Sequence, residues 1–116
     1  MGFDIWELIT NQMHFKMPHH ILLYMKEMYR IAKNAGKGKR VIITETGWPD
    51  QGTNLRGAVP STENAIKYFI NAQQWSKEEN IELFYFSSFD ESWKVGAEGD
   101  VGAFWGIWDK DEVLKY

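Results

Sequence analysis

Residues 41–52 read VIITETGWPDQG. Apolar and β-branched residues run from Val41 straight into Glu45, and Thr46, Gly47, Trp48 and Pro49 follow. Such a run favours an extended, largely buried strand, predicted over Val41–Thr46. The glycine-rich GWPDQGTNLRGAVP after it reads as a long loop, and long loops after strands often carry binding residues. Strict period-two alternation puts Val41, Ile43 and Glu45 on one face. A carboxylate above an apolar floor loses solvation unless it is paired or protonated, which makes it a candidate functional group. The alternative is a strand-end acid in an ion pair with a lysine such as Lys94.

Working outward, the spacing predicts a helix over 18–35. Pro18 suits its first turn, and Ile21, Leu22, Met25, Met28, Tyr29 and Ala32 form an apolar face. Gly36 reads as its C-terminal stop, and GKGKR as a solvated basic turn. Downstream, Ser61 can cap a second helix with Glu63 in its first turn. Ala65, Ile66, Phe69, Ile70 and Gln73 make its face, and it ends near Asn80. Ile81–Phe86 reads as a strand buried on both faces. SSFDESWKVGAEGD then reads as a loop, and VGAFWGIWDKDEVLKY as a short strand-like piece and a helix start. Strand, helix, strand is a βαβ unit, so the class is α/β with parallel strands. Ligand sites in such folds lie outside the carboxyl ends of the strands.

That edge receives Glu45 and Trp48 from one strand, and Asp90, Glu91, Trp93 and Lys94 from the next. Taken singly, each has a plainer reading: packing for the tryptophans, a solvated turn for Asp90 and Glu91. Their convergence on one rim points to a site. Two carboxylates with flanking aromatics suit glycoside cleavage, in which one acid protonates the leaving oxygen and the other attacks the anomeric carbon or activates water. The 16% aromatic content, with six tryptophans, suits a core, a sugar cleft or a protein interface.

The remaining composition narrows the classes. The 116 residues make one domain's worth of chain. A net charge of -3 argues against nucleic acid or an anionic membrane as partner. No cysteine is present, so there is no disulfide framework and no thiol nucleophile. His14, His19 and His20 lack metal-ligand spacing, no serine elbow or dinucleotide glycine motif occurs, and no metal or cofactor is expected. The N-terminal MGFDIWELITNQ carries Asp4 and Glu7 and no basic residue, so it does not read as a signal peptide, and nothing is long enough to span a membrane.

VIITETGWPDQG resembles the nucleophile signature of family 17 of the glycoside hydrolases, the β-1,3-glucanases and related glucanosyltransferases. FYFSSFDESWK resembles the family's next strand and its Phe-Asp-Glu region, with Ser92 where proline is common. GAFWGIWDKDEVLK resembles its C-terminal segment, and the Trp-Glu of WEL at 6–8 is similar to one that follows an earlier strand. The resemblance implies a (β/α)8 barrel of TIM type with retaining chemistry on β-1,3-glucan oligosaccharide or polysaccharide. It implies Glu45 as nucleophile, with Glu91 and Lys94 supporting it. Trp48, Trp93, Asp90 and Trp105 would bind substrate. Glycine would let the chain turn under the acid, proline would stiffen the exit and Trp48 would wall the cleft. Related enzymes are usually secreted or cell-wall associated.

A barrel of this type needs about 250 residues, so 1–116 is expected to be a single partial catalytic domain holding the last strands and helices. The family's acid/base glutamate stands in an Asn-Glu pair on an earlier strand. This sequence holds only Glu63-Asn64 and Glu79-Asn80, in the reverse order. The alternative is therefore a catalytically inactive carbohydrate-binding or barrel-completing fragment. A partial barrel leaves strand edges and an apolar face open, so self-association or pairing with an N-terminal barrel fragment is expected. Its signature is a mass by light scattering that rises with concentration; a monodisperse, thermally stable monomer contradicts it.

Overall fold

The computed structural model describes residues 18–54, 57–96 and 99–116. Expectations that rest on the first 17 residues, including the WEL segment and His14, lie outside these. The elements are helix α1 (Pro18–Gly36), strand β1 (Ile42–Thr46), helix α2 (Thr62–Glu79), strand β2 (Glu82–Tyr85) and a 3₁₀ turn at Asp100–Ala103. No helix among the described residues is long and apolar enough to cross a membrane.

Local chemistry sets the ends of α2. Ser61 is extended, and its side chain accepts a hydrogen bond from the Asn64 amide at 3.0 Å. Such a cap is worth about 1 kcal/mol. At the other end Asn80 takes the left-handed conformation with φ 52°, and its amide donates to the Ser76 carbonyl. Asparagine tolerates that region better than most residues. α1 closes one residue later than expected: Gly36 remains helical, and Lys37 and Gly38 take the positive φ angles of 47° and 85°.

β1 and β2 pair directly and in parallel, as the strand–helix–strand order predicts. The register is not regular. Ile43 faces Leu83 but Thr46 faces Tyr85, so β1 spends one more residue than β2 over that interval. This bulge cancels the alternation. Ile43 packs on the hydrophobic core and Thr46 is buried, with its hydroxyl 2.6 Å from the Tyr68 hydroxyl of α2. Thr44 and Glu45 are both exposed. The expectation that Glu45 sits above Ile43 is therefore corrected. The extra residue turns the carboxylate to the opposite side of the sheet, as bulges beside functional sites commonly do.

Two further expectations change. The core face of α2 is Asn64, Ala65, Tyr68, Ala72 and Trp75, rotated from the predicted one, with Ile70 left 55% exposed. The large aromatics decide the rotation. Tyr68 packs on Trp48 and Tyr85, and Trp75 meets Tyr29 of α1 edge-on at 5.8 Å. β2 is not buried on both faces: Phe84 is 66% exposed, because helices cover only one side of the sheet.

After β2 the chain continues as a third, strand-like segment. Ser87 and Asp90 donate backbone hydrogen bonds to Trp105 and Trp108, and Ile107 and Trp108 donate back to Ser87 and Ser88, all within 2.9–3.0 Å. Phe89 and Trp108 form a parallel bridge. The helix expected at the end of the chain is absent from the described residues. Instead, the Asp109 side chain accepts from the Asp111 and Val113 amides, Trp108 bridges to Leu114, and the chain folds back as a turn.

Candidate active site

Parallel pairing places the carboxyl ends of β1 and β2 on one edge, so Glu45 and the loop after Phe86 share it. Glu45 is exposed, and no lysine or arginine among the described residues pairs with it. The ion pair weighed for it with Lys94 does not form. Lys94 pairs with Glu91 at 2.6 Å and lies 5.0 Å from the centre of the Phe86 ring. A helix-like turn brings that pair together, with the Lys94 amide donating to the Glu91 carbonyl. Trp93, between them in sequence, is 72% exposed, an unburied indole on the same loop.

The other predicted site residues stand elsewhere. Trp48 is 1% exposed and Trp105 is 2% exposed. Trp48 donates its ring N–H to the Val59 carbonyl at 3.0 Å and packs against Tyr68; Trp105 packs against Phe86. Further chain can only bury a side chain more, so neither ring is open to a sugar, and the expectation that they line subsites is corrected. Trp48 points into the core because the residues after the bulge, 46–50, run back under the sheet edge and are all buried.

Gly47 explains why that path needs a glycine. Its φ is not in the left-handed region, but an added Cβ would overlap the Phe86 carbonyl. The requirement is close approach of two backbones, not a tight turn. Phe86 in turn donates its amide to the Thr46 carbonyl at 2.7 Å, and the Phe86–Ser87 peptide is cis.

Asp90 is neither a solvated turn residue nor an open ligand for substrate. Its carboxylate is 8% exposed and accepts from the Gly106 amide at 2.9 Å and from the Lys115 ammonium at 2.6 Å. The same ammonium reaches the Asp50 carboxylate at 2.8 Å. Lys115 and Asp50 are 8% and 6% exposed, so three charges are buried together. Asp50 and Lys115 carry no local signal that would reveal this, because they are 65 residues apart in sequence. The two carboxylates and burial push the Tyr116 phenol up to about 12, burial being the larger cause. Burial likewise pushes the Tyr68 phenol up to about 12 against the opposing bond from Thr46, so it stays neutral as a hydrogen-bonding group. A second tie holds the loop after β1: Asp100 accepts from the Thr53 amide and hydroxyl at 2.8 and 2.7 Å, which keeps its carboxyl below the usual range. Among the described residues no group of histidines and acids could hold a metal ion.

The carboxyl edge of the sheet thus presents an exposed strand-end carboxylate, a carboxylate–ammonium pair and an open tryptophan. A glucan 1,3-beta-glucosidase of Candida albicans is 38% identical over 82 residues, 64% of this chain and 25% of its own. One of Arthroderma benhamiae is 37% identical over 95 residues, 75% of this chain and 31% of its own. The chain thus spans about a quarter to a third of these curated relatives. The crystal structure of a glycoside hydrolase family 17 beta-1,3-glucanosyltransferase from Rhizomucor miehei superposes with a TM-score of 0.79 at 33% identity, over 98% of this chain and 39% of that one. An active-site mutant of the Rhizomucor miehei beta-1,3-glucanosyltransferase, in complex with laminaritriose, gives 0.71 at 37% identity over 79% of this chain and 33% of that one. The BtgE/BtgC glycoside hydrolase domain matches residues 16–106, and the chain belongs to that family, within family 17 of the glycoside hydrolases.

Proposed function

We propose that this chain is the C-terminal, nucleophile-bearing part of a (β/α)8 barrel that acts on β-1,3-glucan with retention of configuration. The observation that carries the reading is the bulge in β1, which leaves Glu45 exposed on the helix-free side of the sheet at its carboxyl edge. In a closed barrel the helix-free side faces the lumen, and catalytic groups stand at the carboxyl ends of the strands. Glu45 attacks the anomeric carbon; the bond to the leaving oxygen breaks, and that oxygen takes the electron pair and a proton from a general acid that the rest of the barrel would supply. Water or another glucan hydroxyl then attacks the same carbon, gives its proton back to that group, and the carboxylate is released. Glu91 and Lys94 set the local charge at the rim, and Trp93 offers its indole face to a glucose ring. The laminaritriose complex of the related transferase supports β-1,3-linked glucose as the ligand.

The absence of an Asn-Glu pair favours a second reading in which the chain binds sugar without cleaving it. A substrate that needs no proton donor separates the two: an aryl β-laminaribioside with a dinitrophenolate leaving group. The first-formed sugar is expected to be the β anomer by proton NMR. An α anomer formed first contradicts retention, and binding without phenolate release supports the second reading.

A further inference from the structure

We infer that Lys115 is a positioning residue for the rim: its buried ammonium fixes the loop that leaves β1 just after Glu45 relative to the loop that carries Glu91 and Lys94. This rests on the reading of Glu45 as nucleophile. Asp50 follows Glu45 by five residues on the loop leaving β1, and Asp90 directly precedes Glu91. The Lys115 side chain is 8% exposed, and its Nζ donates to Asp50 at 2.8 Å and Asp90 at 2.6 Å. One cation thus stands between two carboxylates that would otherwise repel across a poorly solvated gap.

The tie is reinforced on both sides. Asp90 also accepts from the Gly106 amide, the Asp50 amide donates to the Phe104 carbonyl at 3.1 Å, and the Lys115 amide donates to the Ile107 carbonyl at 3.0 Å. The segment 104–107 therefore meets both loops and the lysine. Tyr116 anchors the end of the chain on Phe69 of α2, with ring centres 6.1 Å apart. Neither Asp50, Asp90 nor Lys115 is open to a sugar, so their effect on chemistry passes through the geometry of the rim alone.

The test compares the full chain with Lys115→Met, and with Lys115→Met combined with Asp50→Asn and Asp90→Asn, which removes the tie without stranding buried charge. Two readouts are used. The first is backbone hydrogen exchange by mass spectrometry over peptides covering 47–50 and 87–94, with α2 as internal control. Exchange at both loops is expected to rise at least about tenfold in the single variant and to stay raised in the triple variant, while α2 holds its protection. The second is the rate of covalent trapping by a dinitrophenyl 2-deoxy-2-fluoro-β-laminaribioside. A mispositioned site traps every molecule more slowly, by about tenfold or more. A merely unfolded fraction lowers the amplitude at an unchanged rate. If the unsubstituted chain is not trapped at all, the nucleophile reading fails, and the exchange comparison still decides the role of Lys115. Loop exchange like that of the unsubstituted chain in a folded triple variant, or loosening that spreads equally through α2, overturns it.

Discussion

Replacing Glu45 by glutamine is expected to lower release of dinitrophenolate from the activated laminaribioside by about 1,000-fold or more. The substitution keeps the size of the side chain and removes its charge. A neutral amide neither attacks the anomeric carbon nor stabilises the positive charge that develops there, and loss of a covalent nucleophile costs other enzymes as much or more. Folding should be untouched, because Glu45 is exposed and makes no ion pair among the described residues. Exposed positions of this kind change stability by about 0.5 kcal/mol or less. The comparison is made on initial rates, with helical circular dichroism as the control for folding. Equal rates in the two proteins would mean that another group does the chemistry.

Trp48→Ala is expected to act on stability and not on the site. Trp48 is 1% exposed, and removing a buried indole costs about 3–5 kcal/mol. The Val59 carbonyl loses its indole partner at the same time. Small domains have about 5–15 kcal/mol in total, so roughly a fifth or more of the stability should go. Urea unfolding should show the midpoint falling by about 1–3 M at an unchanged slope. Trp93→Ala is the contrast: with Trp93 72% exposed, the midpoint should hardly move. A shift of equal size in both would contradict the division of the two tryptophans into core and rim.

The signals legible in the sequence were local ones. The caps of α2 follow from a serine and an asparagine at the right places, and the βαβ order follows from periodicity and loop length. Glu45 could be singled out because a carboxylate ends an apolar run. Its orientation could not be read, since the bulge exists only in the pairing of Ile43 and Thr46 with Leu83 and Tyr85. Hydrophobicity weighs Ile70 of α2 like a core residue, whereas the shapes of Tyr68 and Trp75 fix the rotation of the helix. Trp48 reads as a cleft residue because it follows Glu45 closely in sequence, and Trp105 only through the family resemblance, yet the path after Thr46 turns the first inward and the packing on Phe86 encloses the second. The buried ties from Lys115 to Asp50 and Asp90 are tertiary and leave no local pattern.

The covalent intermediate itself gives the most direct test. After reaction with the dinitrophenyl 2-deoxy-2-fluoro-β-laminaribioside, the intact mass should rise by one fluorinated disaccharide, and peptide mapping should place it on Glu45. A label on any other residue, or a label that persists in Glu45→Gln, would contradict Glu45 as the nucleophile.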